Sequence, residues 1–221
     1  MIEITDKYIK DGQLDKEALA VLGSDVVEIK IIKITDKYIK DGQLDKEALA
    51  VLGSDVVEIK GNNIIFKTDV KFDRCDSLTS LNGVVFFRFR NNVTFFYCDS
   101  LKSIDGATFN SHVKFLHCNA LASVSGIVFD GLTEFSHCGS LASVAGATFN
   151  GGVDFNWCRS LISVSGAVFK GKVNFNGCDS LSTVNEATFN GDVSFVKCKF
   201  LASLDLGLFK GNVRVIREEI K

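Results

Sequence analysis

Seven cysteines stand at a regular spacing along the C-terminal two thirds of the chain. Their positions are Cys75, Cys98, Cys118, Cys138, Cys158, Cys178 and Cys198, and we call them the cysteine column. The spacing is constant from Cys98 onward, and only the first interval, from Cys75 to Cys98, is longer. A repeat period of roughly 20 to 50 residues is typical of chains whose units stack and bury a core only against their neighbours. The sequence therefore predicts a solenoid and not a globular domain.

The repeat in residues 64–216 reads Val-x-Phe-x-x-Cys-x-Ser-Leu-x-Ser-Val-x-Gly-Ala-x-Phe-x-Gly-x. Because side chains alternate along a strand, the Val and Phe of Val-x-Phe point to one face and the residue between them points outward. Stacked copies of this segment predict a parallel sheet, and the Cys, Leu and Val that follow every three residues suit a tight turn directed inward. We predict a mainly β solenoid of about seven coils, roughly 35 Å long at ~4.8 Å per coil.

Two irregularities interrupt the pattern. The repeat places Gly106, Gly126, Gly146 and Gly166 where the chain bends, which predicts a positive φ there. Glu186 occupies the same slot one coil later and argues against a strict requirement. The coil from Phe72 to Phe95 is three residues longer than the others, and the extra residues are expected to loop out within 87–92.

Composition excludes several classes of function. The formal net charge is −2 and no long stretch is dominated by one sign, so neither nucleic acid nor an anionic membrane is an expected partner. No window approaches the roughly 18 apolar residues of a membrane span, and Met1–Lys7 lacks the pattern of a secretion signal. An odd number of equally spaced cysteines predicts reduced, buried thiols and not a disulfide framework. We therefore expect a cytoplasmic protein, with export as an effector as the alternative.

A second, different repeat precedes the solenoid. The segment Ile4–Lys30 recurs without a change as Ile34–Lys60, whereas the 20-residue repeats have diverged at most positions outside the core. This contrast favours an engineered origin over a recent natural duplication. Within the unit, Thr35 is expected to cap a first helical turn and Asp45 a second one over 46–52, closed by Gly53, before a strand at 56–59.

Such a unit suits the open end of a solenoid, which must cover the core while facing water. We expect the second copy, residues 34–63, to be the small helical N-terminal cap, residues 1–33 to be its duplicate, residues 64–216 to be the repeat solenoid and residues 217–221 a charged tail. The duplicate could pack beside the cap, stay mobile or cap another molecule, which would give a homo-oligomer by cap exchange.

The segment Phe135-Ser-His-Cys-Gly-Ser-Leu-Ala-Ser-Val144 resembles the core of BspA-like leucine-rich repeats. The resemblance covers residues 64–216, although the unit is shorter than usual and contains no proline. It implies a strand followed by a ladder of Asn or Cys that satisfies turn backbone, and a partner-binding surface on the strand side. The stretch Ala187–Phe195 also looks like pentapeptide-type β-helices, which is the alternative.

Motifs of known chemistry are missing from the sequence. There is no phosphate-binding loop, His-Glu-x-x-His or Gly-x-Ser-x-Gly elbow, so we expect no enzymatic activity and no cofactor. Stacking would bring His117 and His137 close together beside Cys118 and Cys138. A thiol that faces inward and an imidazole that faces outward cannot share one ion, so no metal site is predicted.

What remains is a surface of outward-facing columns next to the buried Phe of each strand. We predict that these columns bind another protein, because exposed aromatic and imidazole groups are enriched at interfaces. The candidate protein-binding residues are Phe96, Tyr97, Lys114, Leu116, His117, Glu134, His137, Asp154, Asn156 and Trp157. The alternatives are that these turn residues pack on neighbouring coils, or that the chain is an engineered repeat protein with a duplicated segment and no binding activity.

Overall fold

Two stacked parallel sheets make up the fold. The computed structural model describes residues 9–10, 13–14, 31–87, 92–201, 204 and 208–217. Strands are numbered in chain order, and two antiparallel hairpins join β1 (Ile9–Lys10) to β2 (Gln13–Leu14) and β4 (Ile39–Lys40) to β5 (Gln43–Leu44). The other strands belong to the two sheets.

Sheet 1 consists, in stacking order, of β3 (Ile32–Ile34), β8 (Val70–Asp73), β10 (Asn92–Phe96), β12 (His112–Leu116), β14 (Thr133–Ser136), β16 (Val153–Asn156), β18 (Val173–Asn176), β20 (Val193–Val196) and β22 (Val213–Ile216). Sheet 2 consists of β6 (Val57–Lys60), β7 (Asn63–Phe66), β9 (Val84–Phe86), β11 (Thr108–Phe109), β13 (Val128–Phe129), β15 (Thr148–Phe149), β17 (Val168–Phe169), β19 (Thr188–Phe189) and β21 (Leu208–Phe209). All pairs within these two sheets are parallel except β6 with β7. The chain crosses from one sheet to the other within each coil, so the predicted β-solenoid of 20-residue coils is confirmed.

The core is a double ladder of phenylalanines. In sheet 1, Phe135, Phe155 and Phe175 stack face to face with ring centroids 5.1–5.4 Å apart. Rings of sheet 2 stack in the same way and meet those of sheet 1 edge to face, as Phe149 meets Phe155 at 5.9 Å. These are the two geometries that aromatic pairs prefer. The Val-x-Phe register is thus what joins one coil to the next.

The cysteine column lies inside this core. All seven thiols are free and buried. From Cys98 onward, each Sγ donates to a strand carbonyl of the preceding coil, as Cys138 does to Phe115 O at 3.3 Å. Hydrogen bonding to a neighbouring thiol and burial raise the pKa of Cys118 and Cys158 above the usual thiol value. Cys118 and Cys158 are therefore protonated at neutral pH, and the free, buried thiols of the column agree with the prediction of reduced, buried cysteines.

Backbone conformation repeats from coil to coil as closely as the side chains do. The predicted glycine slot has φ of +73° at Gly106 and +65° at Gly166. Glu186 also has a positive φ, +58°, so the inference that glutamate relaxes this slot is wrong. The turn geometry is imposed by the neighbouring coils, and the residue in the slot adapts to it at a cost of about 1–2 kcal/mol.

The register also locates the inserted residues. Phe72 pairs with Phe95 and Phe86 pairs with Phe109, so the longer step is present in both sheets and the three extra residues fall between β9 and β10. The predicted loop lies largely on residues 88–91, outside the described residues.

At the N-terminal end, β3 pairs with β8 and β6 forms a hairpin with β7. Between them lie a 3-10 helix, Asp36–Tyr38, and helix α1, Lys46–Ala50. Asp45 caps α1 by accepting from the amides of Glu47 and Ala48, as predicted, but α1 ends before residue 52. Thr35 makes no side-chain capping bond, so that prediction is wrong. Neither helical segment in the described parts of the chain could cross a membrane.

Candidate interaction face

The outward-facing residues of sheet 1 form columns along the solenoid. The residue between the buried Val and Phe of each strand pairs with its counterpart in the next coil, as Lys114 does with Glu134 and Glu134 with Asp154. The predicted residues Lys114, Glu134 and Asp154 therefore lie in register, and Asn174 and Ser194 continue the same column. We call this column the charged column.

The charged column carries mixed charge and satisfies part of it internally. Lys114 Nζ lies 2.9 Å from a carboxylate oxygen of Glu134, and Asn174 donates to the carboxylate of Asp154. Glu134 and Asp154 are direct neighbours on adjacent strands, which puts two carboxylates side by side. Like charges opposite each other destabilise a sheet, and here the lysine beside Glu134 and the amide beside Asp154 offset that repulsion.

A second column follows the buried Phe of each strand. Phe96 pairs with Leu116, Leu116 with Ser136 and Ser136 with Asn156. The side chains are apolar in the first two of these coils and polar in the next, and Lys71 lies over the Phe96 ring at 4.7 Å from its centroid. The column therefore grades from an apolar to a polar surface, with a cation at its apolar end.

The third column consists of Tyr97, His117, His137 and Trp157, and its first three rings are stacked on one another. Tyr97 and His117 are parallel at 4.5 Å, and His117 and His137 follow at 4.8 Å. Trp157 continues the column over Gly177, where a Cβ atom would come within 2.6 Å of the indole. The side chains of Tyr97, His117 and Trp157 are half-buried, whereas that of His137 is exposed. The residues of this column therefore pack against neighbouring coils and are also partly accessible to solvent.

Every member of this ring column has a left-handed backbone. The φ angles are +51° at Tyr97, +57° at His117, +56° at His137 and +56° at Trp157. Sequence reasoning missed this strain. Gly177, which occupies the same slot one coil after Trp157, was the available signal, because glycine tolerates a positive φ without cost. The left-handed turn swings each ring out of the sheet and into the stack.

A shallow groove of about 330 Å³ lies at the opposite end of the same strands. Its walls include Lys114, Glu134 and Asp154 of the charged column together with Leu132, whose side chain is 57% exposed. Gly152 has no side chain, and Leu132 leans into the space beside it, 3.4 Å from where a Cβ atom would stand. Neither Leu132 nor Gly152 was predicted as a site residue. The available signal was the sequence of the column, in which a glycine stands between Leu132 and Lys172 and leaves a depression.

The predicted site residues therefore lie on one face, some on the strands of sheet 1 and the others in the turns that follow those strands. The ten residues occupy adjacent positions on β10, β12, β14 and β16 and in the turns that follow them. The thiols of Cys118 and Cys138 point into the core, whereas His117 and His137 stack outside it. Among the described residues, no three His, Cys, Asp or Glu side chains converge to hold a metal ion.

Comparisons with models of known protein families, with curated proteins and with solved structures find no match to this chain.

Proposed function

We propose that this chain is a non-enzymatic repeat scaffold that binds another protein through the outer face of sheet 1. The observation that carries the proposal is the continuity of that face. Three columns, one charged, one graded from apolar to polar and one of stacked rings, run side by side over four neighbouring coils. Interfaces combine such aromatic anchors with charged and polar rims.

The same proposal includes a relationship to BspA-like leucine-rich repeats and a cytoplasmic location. The thiol of each cysteine donates to a strand carbonyl of the preceding coil, which is the role of the Asn or Cys ladder in those repeats. Seven free, buried thiols suit a reducing compartment. Residues 34–63 would be the N-terminal cap of the solenoid and residues 1–33 its duplicate.

Trp157 is expected to be the main anchor on this face. It combines a large half-buried ring with Arg159 at 5.4 Å over it, and tryptophan and arginine are the residues most enriched at binding hot spots. A displayed library of random peptides, selected on the immobilised protein, would supply ligands. Trp157→Ala should weaken their binding at least 10-fold.

Ile162→Ala is the matched control, because it removes an exposed apolar side chain from the same coil outside sheet 1. It should change binding less than 2-fold. Both variants should melt within a few degrees of the parent protein. Ligands that bind Trp157→Ala as tightly as the parent protein would contradict the proposal, as would an equal loss in Ile162→Ala.

A second candidate is an engineered repeat protein without a binding partner. The exact identity of Ile4–Lys30 and Ile34–Lys60 favours it. In that case the selected peptides would show no preference for the outer face of sheet 1, and both variants would bind them equally.

A further inference from the structure

The N-terminal edge of the solenoid is a binding surface, since residues 32–60 cover it through specific contacts. Ile34 is fully buried, and its carbonyl accepts from Cys75 Sγ at 3.3 Å. Asp36 accepts from the amide of Ser77 at 2.9 Å, and Gly42 O accepts from the amide of Thr79 at 2.8 Å. These contacts hold the segment against the coil that begins with β8.

Residues 2–30 carry the same contact groups. The two segments of equal length, 2–30 and 32–60, differ at one position only, where Glu3 stands in place of Lys33. Where the structure describes the first segment, it also has the same local fold: the hairpin of β1 with β2 matches that of β4 with β5 in pairing and sequence. Every contact just described can therefore be made by either segment.

We propose that residues 2–30 and residues 32–60 compete for this edge, so that the first segment can replace the second on the same molecule. In the exchanged state, Ile2 and Ile4 pair with β8 as Ile32 and Ile34 do, and the segment Val27–Lys30 pairs with β7 as β6 does.

The two segments cannot occupy this edge at the same time, because each would use the same groups of the edge. The partners of residues 32–60 there are the thiol of Cys75, the amides of Ser77 and Thr79, and the strands β7 and β8. While residues 32–60 are seated, these groups are occupied.

Two features favour the second segment. It reaches β7 through a two-residue turn, Gly61-Asn62, whereas the first would close a long loop that includes everything from Ile31 to Asn62. A loop about 16-fold longer lowers the closing probability about 60-fold. Lys33 also pairs with Asp73 at 2.7 Å, and Glu3 would place a like charge there. The exchanged state is therefore a minor state of the parent chain, and a substitution that unseats the second segment should populate it.

Alkylation of Cys75 by N-ethylmaleimide in the full-length chain tests the proposal, because the seated segment buries this thiol. Leu49 is fully buried, and Leu49→Asp should unseat residues 32–60. The first segment should then take its place and protect Cys75. The labelling of Cys75 should therefore be faster than in the parent chain by up to about 60-fold, but slower than without either segment seated. Leu19→Asp alone should label like the parent chain. The double variant, Leu19→Asp with Leu49→Asp, should lose the protection.

Equal labelling of Cys75 in Leu49→Asp and in the double variant would overturn the proposal. Cys138, in the middle of the solenoid, is the internal control and should stay unlabelled in all variants. Adding Glu3→Lys to Leu49→Asp should slow labelling, because it restores the lysine next to Asp73. Light scattering should show a monomer throughout, and a dimer in Leu49→Asp would overturn exchange within one molecule.

Discussion

Replacing Gly171 with alanine is expected to lower the free energy of unfolding by about 3 kcal/mol or more. A Cβ atom at this position would lie 2.6 Å from the carbonyl carbon and oxygen of Gly151 and 2.6 Å from the amide nitrogen of Gly152. These are backbone atoms of the preceding coil, and the ladder hydrogen bonds hold that backbone in place. The methyl group can be accommodated only if two coils separate.

The position belongs to a glycine column at the corner between the sheets, where Gly131, Gly151, Gly191 and Gly211 show the same close approach. Gly166→Ala is the control, because glycine at this position is favoured by the backbone φ angle and not by close packing between coils. Its φ is +65°, but the nearest backbone atom is 3.9 Å from where an alanine Cβ would stand, so the cost should be about 1–2 kcal/mol. Urea unfolding measures both losses. A loss at Gly171 no larger than that at Gly166 would contradict the close packing of the corner.

Phe155→Ala is expected to cost about 4–5 kcal/mol. Its ring is fully buried between Phe135 at 5.4 Å and Phe175 at 5.1 Å, and Phe149 meets it edge to face. The substitution leaves a cavity in the middle of a ladder whose neighbours are fixed by strand register, so they cannot collapse into it. Urea unfolding again measures the loss.

Phe200→Ala removes the same atoms from a side chain that is 66% exposed and should cost less than about 1 kcal/mol. Equal losses in the two variants would show that the double phenylalanine ladder is not the main source of stability.

Period and residue type together predicted the solenoid, because each slot serves the same contact in every coil. Val153, Phe155 and Cys158 could be assigned inward from one coil and checked against the others. The left-handed backbone of the ring column could not, since Tyr, His and Trp rarely adopt it and only Gly177 indicated it. The turn is set by hydrogen bonds between coils, such as that from the amide of His137 to Asn156 O at 2.8 Å, which no single repeat reveals.

The candidate face was predicted in part for the same reason. Alternation along the strands identified the charged column, and the structure places its members in register. The groove beside Leu132 depends on how a leucine leans over Gly152, which is a contact between coils. Whether the ring column faces solvent or packs was left open by the sequence, and the stacked rings do both.

The 20-residue coils are equivalent units, and the register between them keeps the buried columns of the solenoid aligned. Deleting residues 133–152 removes one coil and joins Leu132 to Val153, which keeps every column in register. Deleting residues 133–142 removes half a coil and shifts every column. Circular dichroism melting of the two variants side by side should show a β-rich protein with a cooperative transition for the whole-coil deletion and its loss for the half-coil deletion. An unfolded whole-coil deletion, or a half-coil deletion that melts like it, would contradict the claim.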